Sequence, residues 1–124
     1  MAAPEAERLL RVALRDLKMA RHLLDPEVDE ASWGWATQQC LEKTLKAWLH
    51  VVGIKPPQTH DLARLLMLLE EANVDISTLL PLRAFTAFAV QFRYDDEPEL
   101  LGLERSVWTD RAQALIENVQ SLLS

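Results

Sequence analysis

One helix-length stretch concentrates much of the chain's polar chemistry. Gln39, Glu42, Lys43, Lys46 and His50 recur at steps of three, four and seven, so they share one side of a helix. Two ammonium groups and several hydrogen-bond donors on one side can meet a phosphate. The same spacing also describes a solvated face, with Glu42 and Lys46 as an ordinary i,i+4 ion pair. His60 and Asp61 stand where a new helix begins, and free backbone N–H groups at such a start can receive an anion. A histidine beside a carboxylate can move a proton, or can simply fix the turn.

Arg93 and Tyr94 close a later helix just before an acidic loop. The arginine fork grips phosphate, and the tyrosine offers a stacking face or a modifiable hydroxyl. The structural alternative pairs Arg93 with Asp95 or Asp96 and lays Tyr94 over the edge of the core. Asp95, Asp96, Glu97 and Glu99 lack calcium-loop or two-metal spacing, so a solvated loop is expected rather than a cation site. Three scattered histidines and one cysteine show no ligand spacing, and neither a metal nor a cofactor is expected.

The elements that must hold these residues are helices. Leu10, Ala13, Leu14, Leu17, Ala20, Leu23 and Leu24 predict a first helix over 5–24, stopped by Asp25 and Pro26. A second, over 29–53, has Trp33, Ala36, Cys40, Leu41, Leu45, Trp48, Leu49 and Val52 on one side and ends at Gly53, before Pro56 and Pro57. Thr59 is the expected N-cap of a third helix over 60–72, whose core side is Leu62, Leu65, Leu66 and Leu69. A fourth is expected over 78–93, with Pro81 in its first turn and Leu82, Phe85, Phe88, Ala89 and Phe92 buried. A fifth, over 104–123, buries Val107 or Trp108, Ala112, Leu115, Ile116, Val119 and Leu122.

No strand-like alternation or internal repeat competes. The expectation is therefore an all-α fold, an antiparallel up-and-down bundle of about five helices forming a single domain over 1–124. With 124 residues, 49% of them hydrophobic, the chain is long enough to bury one core. Its net charge of −6 argues against general electrostatic capture of nucleic acid, although a local basic patch is compatible with it. Cys40 lies in an apolar helical stretch and reads as a buried reduced thiol. The amino terminus lacks a long apolar core and no run approaches a membrane span, so a soluble cytoplasmic protein is expected. Trp33, Trp35, Trp48 and Trp108 are many for one small core, which raises a helix-to-helix homodimer as a way to cover some of them.

Taken in order, ARHLL, QQCLEKTLKAWLHVVGIKPPQTHDL, LARLLMLLEE and QFRYDDEP resemble the HEPN family (higher eukaryotes and prokaryotes nucleotide-binding) over nearly the whole chain. The resemblance implies a helical bundle that dimerises. It also implies a small nucleotidyltransferase as partner in a toxin–antitoxin pair and, in many members, metal-independent ribonuclease activity. The catalytic motif of such members is an arginine, a polar residue and then a histidine, with four to six residues between the arginine and the histidine. Arg93 stands where that arginine is expected, but residues 94–102 contain no histidine. Arg15 and His22, with six residues between them, lie in the first helix and read as a chance match.

The leading expectation is a nucleotide- or RNA-associated HEPN module with little or no ribonuclease activity. It would bind nucleotide or phosphate through Lys43, Lys46, His60, Arg93 and Tyr94, with no confident catalytic residue. By analogy with family toxins, Tyr94 is also a candidate acceptor of a nucleotidyl group. The alternatives are a ribonuclease that uses Arg93 with a displaced His60, and a dimeric module that binds only protein.

Overall fold

The computed structural model describes residues 3–124; Met1 and Ala2, which open the amino terminus, lie outside the described residues. Five α-helices follow in order: α1 (Ala3–His22), α2 (Glu30–Val51), α3 (Leu62–Glu71), α4 (Thr86–Val90) and α5 (Arg105–Leu123). Two 3₁₀ segments, Leu80–Phe85 and Phe92–Tyr94, flank the short α4. There is no strand among the described residues, and the expected all-α bundle is what the chain forms.

α2 is the central element, in contact with each of the other four helices. Its burial is consequently not confined to one stripe. Trp33, Cys40, Leu41, Leu45, Ala47 and Leu49 are buried, but so are Gln38, Glu42 and Thr44. α1 packs along α2 and α5 through Ala6, Leu10, Ala13, Leu17 and Ala20, whose three- and four-residue steps place them on one side. Leu14, expected inside, is 41% exposed because it sits off that side. In α5 it is Trp108 that packs on the core, while Val107 is exposed.

Both C-terminal stops are conformational. Gly53 has φ +84°, its N–H bonds to the His50 carbonyl, and Ile54 N–H reaches back to Leu49, which closes α2 in a Schellman motif. α3 ends in the same way with Asn73 at φ +67°, through Asn73 N–H to Glu70 and Val74 N–H to Leu69. The start of α3 differs from expectation. Its N-cap is Asp61, whose carboxylate accepts from Ala63 N–H, while the Thr59 hydroxyl accepts from Asp61 N–H and shapes the preceding turn.

The expected fourth helix over 78–93 is instead broken into three pieces. Leu82, Phe85 and Phe88 are three residues apart, a spacing that 3₁₀ winding, as over Leu80–Phe85, keeps more nearly in line than α-helical winding does. Pro81 lies in the first turn of the first 3₁₀ segment, where its missing N–H costs nothing. The aromatic rings then wedge against α2. Trp33 meets Phe85 and Phe88 edge-on at 5.6 and 6.2 Å, Phe88 meets Phe92 at 5.5 Å, and Phe85 meets Trp108 at 5.5 Å. The buried indole N–H of Trp33 donates to Thr109 Oγ1 at 3.0 Å, joining α2 to α5.

Gly34 lets this wedge close. A Cβ at that position would lie 2.2–2.4 Å from the Phe88 ring, far inside contact distance. Because the ring is buried on all sides, it cannot swing away, and overpacking of a closed core costs about 1–3 kcal/mol. Gly34→Ala is therefore expected to lower the unfolding free energy in urea by that amount, and the midpoint with it, despite alanine's better helix propensity. An unchanged or raised midpoint would show that the ring has room to move.

Candidate functional site

The polar residues of α2 do not form a solvated face. Glu42 is 3% exposed, and its carboxylate gathers three donors. Gln38 Nε2 reaches Oε1 at 3.0 Å, Lys46 Nζ reaches Oε2 at 3.0 Å, and His60 Nδ1 lies 2.8 Å from Oε1. Gln38 Nε2 also donates to the His60 carbonyl, so the same two side chains hold the backbone that leads into α3. The expected i,i+4 pair of Glu42 and Lys46 exists, but as part of a largely buried cluster. Burial alone would push the Glu42 carboxyl up; the hydrogen bonds from His60, Gln38 and Lys46, with the Lys46 charge, outweigh it and hold the carboxyl below its ordinary value.

Lys43 turns the other way. It bonds to Gln39, which in turn donates to Gln38, and it faces Asp16 of α1 at 3.9 Å. Burial raises the Asp16 carboxyl above its ordinary value, and the attraction of Lys43 and Arg15 does not offset this. Beside them the Cys40 thiol, buried and repelled by Asp16, is pushed up to about 12 and is inert as a nucleophile at neutral pH. Lys43 and Lys46, both expected to meet phosphate, are thus already engaged with protein groups at 22% and 17% side-chain exposure.

Arg93 is not paired with Asp95 or Asp96 among the described residues. Its guanidinium lies over the Trp35 ring, 4.2 Å from the centroid, and 5.5 Å from the centroid of Tyr94. Tyr94 does not cover the core edge, being 80% exposed. Together the three form an open platform of one cation and two aromatic faces, beside a cleft of about 480 Å³ lined by Met19, Leu23, Trp35 and Arg93. Asp95, Asp96, Glu97 and Glu99 of the loop that follows are exposed, as expected of a solvated run, while the far end of the loop is anchored. The buried Glu30 carboxylate accepts from Leu101 and Leu103 N–H at 2.7 and 3.1 Å. Arg105 donates to the carbonyls of Leu23, Asp25 and Val28 on the α1–α2 turn.

α2 relates the two clusters. Trp35 and Glu42 are seven residues apart, hence on the same side and separated by about 10 Å of helix rise. Within one chain His60 belongs to the Glu42 end and Arg93 to the Trp35 end, so the two are brought to one side of α2 but not anchored at one point. Residue spacing had singled out Glu42, Lys43, Lys46, His60, Arg93 and Tyr94. It missed Trp35, Gln38 and Asp16 as partners; for Trp35 and Gln38 the available signal was their place seven and four residues before Glu42. Among the described residues no group of His, Cys, Asp and Glu is placed to hold a metal ion. No helix there is long and apolar enough to cross a membrane.

The Glu42 cluster has a pH signature. A carboxyl whose folded value is depressed stabilises the protein above its unfolded value, and that stabilisation is lost as pH falls through the folded one. Glu42→Gln leaves Lys46 without its counter-charge and is expected to cost about 1–3 kcal/mol in urea unfolding at neutral pH. The gap to the unsubstituted protein should narrow as pH falls below the ordinary glutamate value of 4.5. A gap that stays constant down to about pH 3 would mean that the ionised carboxylate contributes nothing.

A family model described as the HEPN domain matches residues 6–124. No curated protein and no solved structure matches the chain. The matched span includes all of α2 to α5 and nearly all of α1, together with both the Glu42 cluster and the Arg93 platform. The chain belongs to the HEPN domain family.

Proposed function

We propose that this HEPN domain is a nucleotide- or RNA-associated module that receives an unpaired base and its phosphate at Arg93, Trp35 and Tyr94. The observation that carries this reading is the guanidinium held over the Trp35 ring beside an exposed tyrosine. Stacking on aromatic and guanidinium planes is how single-stranded nucleic acid is gripped without a basic protein as a whole. Lys43 and Lys46 then act from behind, holding Asp16, Gln39 and Glu42 in place rather than touching the ligand. Glu42 holds His60 at the other end of the same side of α2, where it can meet a neighbouring phosphate.

Catalysis is little or absent in this reading, because residues 94–102 supply no histidine beside Arg93. The exposed hydroxyl of Tyr94 is open to a small nucleotidyltransferase partner, in keeping with a toxin–antitoxin pairing, and a homodimer would set two such platforms together. One observation favours the ribonuclease alternative. His60 Nδ1 is oriented by Glu42 while its Nε2 has no hydrogen-bond partner among the described residues, as a general base requires. Its separation from Trp35 along α2 weighs against its sharing one phosphate with Arg93.

Metal-free incubation with labelled transfer RNA and messenger RNA decides between the two. The expected result is binding without cleavage, weakened about tenfold or more by Trp35→Ala or Arg93→Ala through the lost stacking. Cleavage that disappears in both Arg93→Ala and His60→Ala would replace the binding reading with the ribonuclease one.

A further inference from the structure

The charge of the chain is distributed unevenly. α1 carries five of its 13 Lys and Arg but only three of its 19 Asp and Glu, a net +2, which leaves −8 for everything else. Four of the five, Arg8, Arg11, Arg15 and Lys18, together with His22, recur at steps of three and four and are all exposed. On a helical wheel they fall within an arc of about 80°, diametrically away from the buried Ala6, Leu10, Ala13, Leu17 and Ala20. Among the described residues none of them enters an ion pair. Within residues 8–22 the one acid, Asp16, is turned toward Lys43 of α2. The outer face of α1 is therefore a row of unneutralised cations about 20 Å long on an otherwise acidic protein.

The row leads to the platform. Met19, which follows Lys18, lines the same cleft as Trp35 and Arg93. We infer that the outer face of α1 is a track for the sugar–phosphate backbone of single-stranded RNA, which delivers a base to the Trp35–Arg93–Tyr94 platform. This rests on the nucleotide- or RNA-associated reading above and extends it to a second surface and a strand state.

Neighbouring cations stand about 4.5–6 Å apart along the helix axis, so one strand can be followed phosphate by phosphate. A base that stacks on the platform must be unpaired, which selects a single strand over a duplex. Three of the four permanent cations are arginines, whose planar fork matches a phosphate better than an ammonium does. Asp29, Asp95 and Asp96, which line the same cleft, accept from base amino groups and repel phosphate away from Arg93, so the base and its own phosphate enter while the rest of the backbone stays on α1. An anionic membrane is the poorer occupant, because the apolar face that would have to insert is packed in the core. A second copy across a two-fold axis is poorer still, since the row would face itself.

The test is the salt dependence of binding to a labelled oligoadenylate, for the unsubstituted protein, for Arg8→Gln, Arg11→Gln, Arg15→Gln and Lys18→Gln combined, and for Trp35→Ala. The combined variant changes only exposed side chains, and its unchanged thermal unfolding is checked first. The expected result is a slope of log Kd against log salt that falls by about 0.7 for each cation removed, about 3 in all. Trp35→Ala should weaken binding with the slope kept. An unchanged slope in the combined variant, with Trp35→Ala still weakened, overturns the track and leaves the platform standing. No binding by the unsubstituted protein overturns the functional reading and the track together. Phosphatidylserine vesicles or polyglutamate binding as tightly as oligoadenylate, with loss in the combined variant, would reassign the row to a membrane or an acidic partner.

Discussion

A carboxylate enclosed at the centre of a helical bundle is the constraint on which the candidate site depends. Glu42 lies on the helix that every other helix touches, and at 3% exposure it has little water to solvate it. An ionised group in that position persists only if its oxygens are filled, because an unpaired buried charge costs several kcal/mol. Gln38 and Lys46 fill them from the same helix, and His60 from the segment that leads into α3. Satisfying Glu42 thus fixes where the α2–α3 connection runs, which side of His60 is free, and why Lys46 is not available to a ligand. A stability requirement and a site geometry are here the same set of hydrogen bonds.

The opposite end of α2 solves a different problem. Arg93 and Tyr94 sit at the end of a chain segment with little regular helix of its own, so their position depends on what that segment packs against. The answer is the aromatic wedge of Phe85, Phe88 and Phe92 against Trp33, admitted by the missing side chain of Gly34. Glu30 and Arg105 then clasp the following loop and the α1–α2 turn by bonding backbone groups on each. Those bonds are charge-assisted and partly shielded from water, where they hold better than exposed ion pairs would. The platform on Trp35 is therefore an outcome of core packing several residues away from it.

Between these two ends, the division of charge within the HEPN domain follows a simple logic. Cations inside the bundle are paired with carboxylates and so lose their reach toward solvent, whereas those on the outer face of α1 stay free. Residue counts alone treat both kinds as equal. For this reason the acidic total of the chain says little about whether one surface can hold an anion.

Much of the architecture followed from periodicity. Three- and four-residue steps of apolar side chains located α1, α2, α3 and α5 to within a few residues, and Gly53 marked a helix end because a left-handed residue is needed there. Residue types and the order of motifs were also enough to point to the HEPN family and to draw attention to Glu42, His60, Arg93 and Tyr94. What spacing cannot report is which side of a helix is covered when the helix is covered on every side. Lys43 and Lys46 looked like ligand contacts, and Glu42 like half of a surface ion pair, because a helical wheel carries no information about α1 and α3. Trp35 as the seat of Arg93, the broken winding around Phe85, and the freedom of the α1 cations were decided only by tertiary packing. The physical reason is common to all three: burial and the partners it imposes are properties of neighbouring elements, and no local pattern of residues contains them.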